Sequence, residues 1–487
     1  MSAAEMASLS PDVRRRHSHT VEGDDIDDAD LLHLLSDDEL HLGGALSPVA
    51  TRQASGIPLT QRQLFALAAY WFGWAVLWMP LLVIVLPKQI VEIAGPESKG
   101  SNMSSILMLG SIVSLVCLPL FGSLSDMSTH TFGRRRPFMV AGCVTATISL
   151  VVMGYDPPMP VYTSCFLVLS VSNNMIIAPY SALVPDVVPQ SQRGTASSWL
   201  GAMAMLGYLF GGFLTFFMTS MGTFGTLLLL NVFHALALYV TVKYTDEVQF
   251  KPPVSSATII TPRRTPFGSI AATVVSFIAP LRRHDFRLLF ITRFMTQMVG
   301  IATVQEFLSF FVSDAVVRPF LFRGSVVATS PSEAVAIMFI PMLLGALLTS
   351  SLSGVVSNAL GGKRKVIVYW SGGLMATGCL FLMVSREFTA VLFAAGVFGC
   401  GYGAFTAVDW ALATDLLEDD KEYAKDMAVW GIAMVLPNLA MPLVGGLLDY
   451  VQRLSPVNTL GYSLVWFIAA VEFTAGSYLV KFIYKIQ

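Results

Sequence analysis

The chain has 487 residues, of which 54% are hydrophobic and only 13% charged, far from the roughly 25% charged content of a soluble globular chain. That composition excludes an ordinary soluble protein and points to a multi-pass integral membrane protein with the lipid bilayer as its surroundings. The net charge of -2 hides an acidic first segment and basic short loops, and it makes no case for a nucleic-acid partner.

Residues 1–62 are polar and acidic, as in "VEGDDIDDADLLHLLSDDEL", without the basic start and apolar core of a signal peptide. They are expected to form a disordered cytosolic tail. Two acidic-dileucine forms occur in it, Asp27 with Leu31-Leu32 and Asp30 with Leu34-Leu35. They are either sorting signals toward endosomal or vacuolar membranes or chance products of such a tail; the plasma membrane is the other expected location. Apolar stretches of about 18 residues or more then predict spans at 64–86, 103–125, 137–154, 160–183, 196–219 and 224–242, within an N-terminal half of 63–242. The segment 243–284, with "KPPVSSATIITPRRTP", reads as a cytosolic linker, either a plain tether or one phosphorylated beside its arginines. A C-terminal half, 285–487, holds spans at 286–311, 333–356, 365–384, 389–413, 426–448 and 460–482. The expected fold is therefore an all-α membrane protein of twelve transmembrane helices in two six-helix halves. An even number of spans puts both termini on one side. Lysine and arginine concentrate in the loops assigned to that side, including Arg134, Arg135, Arg136, Lys243, Arg263, Arg264, Lys363, Arg364 and Lys365, which makes it cytosolic.

The halves repeat. "GSLSD" with "GRRRP" after the second span is echoed by "GVVSN" with "GGKRK" after the eighth, and "SALVPDVVP" by "WALATDLLE", which sets Asp186 opposite Asp415. Duplicated halves with a midplane substrate site between them are a transporter architecture. The Gly-x-x-x-Asp run, Gly122 to Asp126, with a tight turn at Gly133 and the cluster Arg134, Arg135 and Arg136, resembles the signature loop of the major facilitator superfamily. Its physics is legible: Gly122 permits close helix approach, Asp126 accepts hydrogen bonds, and the arginines pair with carboxylates such as Asp186. Breaking and remaking that network is the expected gate.

"SDMSTHTFGRRRPF", "FGWA" at Phe72 to Ala75 and "NNMIIAPYSAL" from Asn173 are similar to the sucrose/proton symporters and their glycoside-pentoside-hexuronide relatives. The resemblance covers mainly the N-terminal half and implies a sugar-like substrate. It does not bring the family's coupling machinery: the helix-4 aspartate and arginine of those symporters correspond to Ser170 and Ser181 here.

Polar and aromatic residues inside spans supply the remaining candidates. Trp71, Trp74 and Trp78 share one helix face, and an indole suits the C–H face of a sugar ring, although such a stripe also serves packing. Trp74, Asn173, Asn174 and Gln297 are the expected substrate-binding set, the two asparagines acting otherwise as interhelical hydrogen-bonding residues. Arg293 and Asp409 lie at a shared depth, roughly 9 to 11 Å from the cytosolic face at 1.5 Å per residue. An unpaired charge there costs about 2.5–3.5 kcal/mol, so they are expected to pair, either as a coupling site or as a permanent bridge. His234, Glu306 and Glu472 are further ionisable residues within spans. The five cysteines have no metal-ligand spacing and read as packing residues. No catalytic constellation, phosphate-binding Gly-rich loop, cofactor motif or metal cluster is present in the sequence, which leaves no enzyme reading. The expected activity is alternating-access transport of a sugar or glycoside, with or without protons. The alternatives are a non-sugar solute such as a nucleoside or organic acid, or a sensor that binds solute without moving it.

Overall fold

The structure, a computed structural model, describes residues 58–189, 192–245, 279–359, 364–415, 429, 432–433, 435–454 and 459–483. The tail with its dileucine forms, most of the linker and Lys363 lie outside the described residues, as do the side chains of Asp126, Gln297, Asn358 and Asp415.

Helix α1 (Gln61–Pro80) starts at a reciprocal cap. Thr60 Oγ1 accepts from the Gln63 N–H at 3.3 Å while Gln63 Oε1 accepts from the Thr60 N–H at 3.0 Å, pairing donors that a first turn otherwise leaves open. Pro80 carries no amide hydrogen, and the ladder loosens after it into a π-turn, Leu81–Val85, before α2 (Leu86–Ala94). The whole run, Gln61–Ala94, has 34 residues, about 51 Å at 1.5 Å per residue. It exceeds the roughly 30 Å hydrocarbon core, so it reaches from one aqueous face to the other. Then follow α3 (Lys99–Met127), α4 (Arg136–Met153), α5 (Met159–Val187), α6 (Arg193–Leu214) and α7 (Met218–Tyr244).

Beyond the linker come α8 (His284–Met295), a π-turn over Thr296–Ile301, α9 (Ala302–Asp314), α10 (Pro331–Ala359), α11 (Arg364–Val384), α12 (Phe388–Asp415), α13 (Met441–Leu454) and α14 (Leu460–Leu479). Among the described residues ten helices are long and apolar enough to cross a membrane, against the twelve expected. The expected seventh span is the unbroken succession of α8, π-turn and α9, and the eleventh lies partly outside the described residues. One element departs from the all-α expectation. Strands β1 (Phe320–Phe322) and β2 (Ser325–Ala328) form an antiparallel hairpin between α9 and α10. Its two-residue turn, Arg323–Gly324, has φ of 51° and 83°, the backbone a tight hairpin requires.

Side chains that would face water in a soluble protein are apolar here: Val116, Ile148, Leu348, Phe393 and Leu443 are all exposed, as a lipid-facing surface demands. The α1 segment is the most enclosed of the long helices and α3 the least. Helices α6 and α7 pack on α1, and α12 packs on α10 and α11. Both pairings use glycine pairs four residues apart. A Cβ at Gly207 or Gly211 would collide with the carbonyls of Phe72 and Val76, and one at Gly399 or Gly403 with those of Met342 and Ala346. Without side chains there, backbones touch and dispersion contacts replace a hydrophobic drive that lipid does not supply. The main apolar core runs through α1, α9, α10, α12 and α14, and a smaller one around Leu64, Tyr70, Ile176, Tyr180 and Leu238 supports the arginine-loop end. The two sets of helices meet where α3 packs on α13 and α6 on α10.

Candidate functional site

The loop between α3 and α4 turns at Gly133, whose φ of 121° lies in the region that side-chain-bearing residues avoid. The turn aims the arginines back at the bundle. Arg134 Nη2 and Arg135 Nη2 approach Asp186 Oδ2 at 2.9 and 2.6 Å, and Arg135 Nε donates to the same oxygen at 2.8 Å. Asp186 stands in the last turn of α5, where the helix dipole opposes a negative charge, and the two guanidinium groups offset that penalty. Arg135 is buried and also reaches Ser125 Oγ at 3.4 Å. Arg136 Nη2 donates to the Thr245 carbonyl at 2.5 Å, at the end of α7. Thus the three arginines tie the loop to α5 and α7. The close approach expected at Gly122 is not present: a Cβ there would meet nothing within 4 Å, because α3 lies at the periphery at this point.

Along α1, the rings of Trp71 and Trp74 are 5.2 Å apart and those of Trp74 and Trp78 6.4 Å apart. Trp74 Nε1 donates to Asn173 Oδ1 at 3.0 Å, joining α1 to α5 through two of the expected substrate-binding residues. Asn174 is buried, and its amide nitrogen donates to Ser114 Oγ at 2.9 Å and to the Ser170 carbonyl at 2.7 Å. The first of these bonds joins α5 to α3, and the second lies within α5. His234 is buried on α7 with its ring 6.2 Å from that of Tyr70, and Glu472 is half-buried on α14.

Arg293 Nη1 donates to Asp409 Oδ2 at 2.5 Å, with side chains only 5% and 10% exposed, so the two residues expected to pair bridge α8 and α12. Close by, a cavity opens between the two sets of helices. Met79 and Val83 of the α1 segment and Tyr208 of α6 face Gln305 of α9, Phe339 of α10 and Tyr402 of α12 across it. Its walls are largely apolar, with the amide of Gln305 and the phenols of Tyr208 and Tyr402 as polar groups, a composition suited to a small ligand. Trp74 and Asn173 are not among its lining residues. Sequence reasoning missed Tyr208 and Tyr402, each a lone polar residue in an apolar run, and Gln305, which stands beside the more conspicuous Glu306; the glycines around Tyr402, "GCGYG", were the available sign of close packing there.

At the end of the bundle opposite the arginines, the first turns of α3 are bound to the other set of helices. Lys99 pairs with Asp314 and lies over the rings of Phe310 and Tyr462, whose hydroxyl donates to Asp314 Oδ2 at 2.7 Å. The Asp449 carboxylate on α13 accepts from the Gly100 N–H at 3.1 Å, and from the Ser101 N–H and hydroxyl at 2.8 and 2.6 Å. One turn along, Ser104 Oγ lies 2.9 Å from the Gly100 carbonyl and 2.9 Å from Glu306 Oε2, both contacts buried.

Long apolar helices in two sets, enclosing a cavity walled by both, define a multi-pass integral membrane protein of transporter architecture. A family model described as MFS/sugar transport protein matches residues 100–451. The chain belongs to this family, whose members are membrane transporters and not enzymes. The general alpha-glucoside permease of Schizosaccharomyces pombe is 28% identical over 204 residues, 37% of this chain and 35% of the permease. Sucrose transport protein SUC4 of Arabidopsis thaliana is 30% identical over 164 residues, 29% of this chain and 31% of the relative. The matched regions thus span about a third of these curated relatives. Among solved structures, the nucleoside transporter NupG superposes with a TM-score of 0.62 at 12% identity, covering 87% of this chain and 99% of its own. A POT family transporter in complex with 5-aminolevulinic acid gives 0.65 at 13% identity, covering 88% and 98%. At such identities the likeness is one of fold.

Proposed function

We propose that the chain carries a sugar or glycoside across a membrane by alternating access between two six-helix halves, with both termini cytosolic and protons as the coupling ion. The observation that carries this reading is the cavity between the two sets of helices, with phenols from both and an amide against an apolar wall. Aromatic rings suit the C–H faces of a sugar ring, and phenol and amide groups suit its hydroxyls. An organic acid would call for a cationic partner, and none of the cavity-lining residues is charged. The names of the relatives favour the same substrate class over a nucleoside.

The repeated halves are supported by length as well as motif: α3, α4 and α5 have 29, 18 and 29 residues, and α10, α11 and α12 have 29, 21 and 28. Trp74 lies five residues before cavity-lining Met79, about 7.5 Å along α1 toward the arginine loop, so the Trp74–Asn173 pair is assigned to the cytosolic exit path. Gln297 lies in the π-turn that ends at cavity-lining Ile301 and is assigned to the same path, while Asn174 fixes this stretch of α5 against α3 through Ser114. Gly122, Asp126, Gly133, Arg134, Arg135, Arg136, Asp186 and Asp415 form the cytosolic gate. Protonation of Asp409 would release Arg293, linking proton occupancy to the state of the carrier.

The test is uptake by the purified full chain in liposomes, with labelled sucrose, maltose, uridine and citrate, with and without an inward proton gradient. Accumulation of a disaccharide under the gradient is expected. Saturable binding without uptake would make the protein a sensor, and uptake confined to uridine or citrate would overturn the sugar assignment.

A further inference from the structure

The contacts of Ser104 set a proton-counting problem. A serine hydroxyl has one hydrogen to donate and lone pairs to accept with. Ser104 Oγ nevertheless lies 2.9 Å from the Gly100 carbonyl oxygen, which can only accept, and 2.9 Å from Glu306 Oε2. If Glu306 were ionised, both neighbours would compete for one hydrogen, and one 2.9 Å contact would set lone pair against lone pair. A hydrogen shared between the two acceptors would make two weak bonds; both contacts are full bonds at once only if the chain runs from Glu306 O–H to Ser104 Oγ and from Ser104 O–H to the Gly100 carbonyl.

A second observation points the same way. Glu306 is 1% exposed, and its other oxygen, Oε1, has no hydrogen-bond partner among the described residues. A neutral acid leaves a carbonyl unpaired there, whereas an ion leaves half of a buried charge unpaired, a far larger penalty. Charged and titratable groups on the packed elements have other engagements. Lys99 of α3 is held by Asp314, Lys88 and Glu92 of α2 pair with each other, and Glu333 of α10 accepts from Thr329 and Ser330. Tyr462 of α14 donates to Asp314, and Asp449 of α13 accepts from the α3 N-terminus.

We propose that Glu306 is a proton-binding site whose occupancy latches the outer face shut: the α3–α9 contact closes on the protonated acid and is broken when the proton leaves. The site joins the two sets of helices, since Ser104 belongs to one and Glu306 to the other, and it is separate from the Arg293–Asp409 pair. Its geometry makes a proton a condition of closure. With the outer face open, Ser104 and Glu306 part, water reaches the carboxyl, and the proton exchanges with the outside. The directional sense rests on the carrier proposed above, and the following test needs no solute, so the two can fail separately.

The full chain, with its native cysteines replaced and spin labels at Tyr155→Cys and Val317→Cys on the outer loops of the two halves, is placed in nanodiscs and titrated. Both positions are exposed. The wild-type distance distribution is expected to shift from short to long as pH rises, and Glu306→Gln, which mimics the neutral acid, to stay short throughout. Ser104→Ala should leave the protein folded but weaken the latch, moving the transition to lower pH. In parallel, the infrared carbonyl band of a protonated carboxylic acid near neutral pH should lose intensity in Glu306→Gln. A distance that does not respond to pH in the wild type, an unchanged pH response in Glu306→Gln, or an unchanged infrared band would each overturn the proposal.

Discussion

Replacing Asp409 by Asn removes one charge from a buried pair. With the two side chains 5% and 10% exposed, Arg293 keeps its charge and loses the carboxylate that offsets its desolvation. Breaking such a pair from one side costs about 3–5 kcal/mol. Asparagine still offers an oxygen to Arg293 Nη1, which places the expected loss near the lower end, about 3 kcal/mol or roughly a hundredfold in the folding equilibrium. Arg293→Gln should cost a similar amount for the opposite reason, a carboxylate left in the same dry space. In the double variant two amides face each other and the combined loss should be less than that of either single change. Thermal unfolding of the four purified proteins in detergent closes the cycle. If the double variant loses as much stability as the two single variants added together, the two side chains are not energetically coupled and the pairing argument fails. The same variants separate a coupling site from a fixed bridge. Solute exchange by Asp409→Asn should persist in liposomes while accumulation driven by a proton gradient is lost, and normal accumulation would remove the pair from the coupling mechanism.

Two further outcomes follow from the geometry. Tyr402→Phe keeps the ring and deletes one hydroxyl from the cavity, so the affinity for labelled disaccharide should fall about tenfold with thermal stability unchanged; equal binding by this variant and by Tyr208→Phe would move the solute elsewhere. Gly399→Ala drives a Cβ into the Met342 carbonyl and should sharply reduce folded yield, whereas Gly122→Ala, with nothing within 4 Å, should fold like the wild type, as size-exclusion profiles of the two variants will report.

The sequence disclosed what depends on local chemistry or on depth. Arg134 and Arg135 meet Asp186 because a short loop with a glycine at positive φ leaves them few other places to go. Arg293 and Asp409 meet because two charges at one level of an apolar bundle have few alternatives. The cavity was not legible in this way. Tyr208, Gln305 and Tyr402 come from three helices, and which face of each helix turns inward is set by glycine contacts such as Gly207 on Phe72 and Gly403 on Ala346, not by periodicity; helices apolar on every side carry little amphipathic signal. Gly122 shows the converse error, in which a glycine read as permitting close helix approach has no such neighbour in this arrangement of helices. The β1–β2 hairpin was missed because "FLFRGSVVA" is too short to show alternation and carries neither Asn-Gly nor Asp-Gly at its turn.

Helix α3 is fastened at its two ends to different bodies. One end is fixed to its own set of helices through Arg134, Arg135 and Asp186, and the other to the opposite set through Asp314 and Asp449. The helix that connects these anchorages has 29 residues, a rod of about 43 Å at 1.5 Å per residue. A rod held this way is a lever: a tilt of about 10° about one anchorage carries the other end some 7 Å along an arc, further than a hydrogen bond can stretch. The Asp449 bonds therefore cannot survive such a tilt while the arginine end stays fixed.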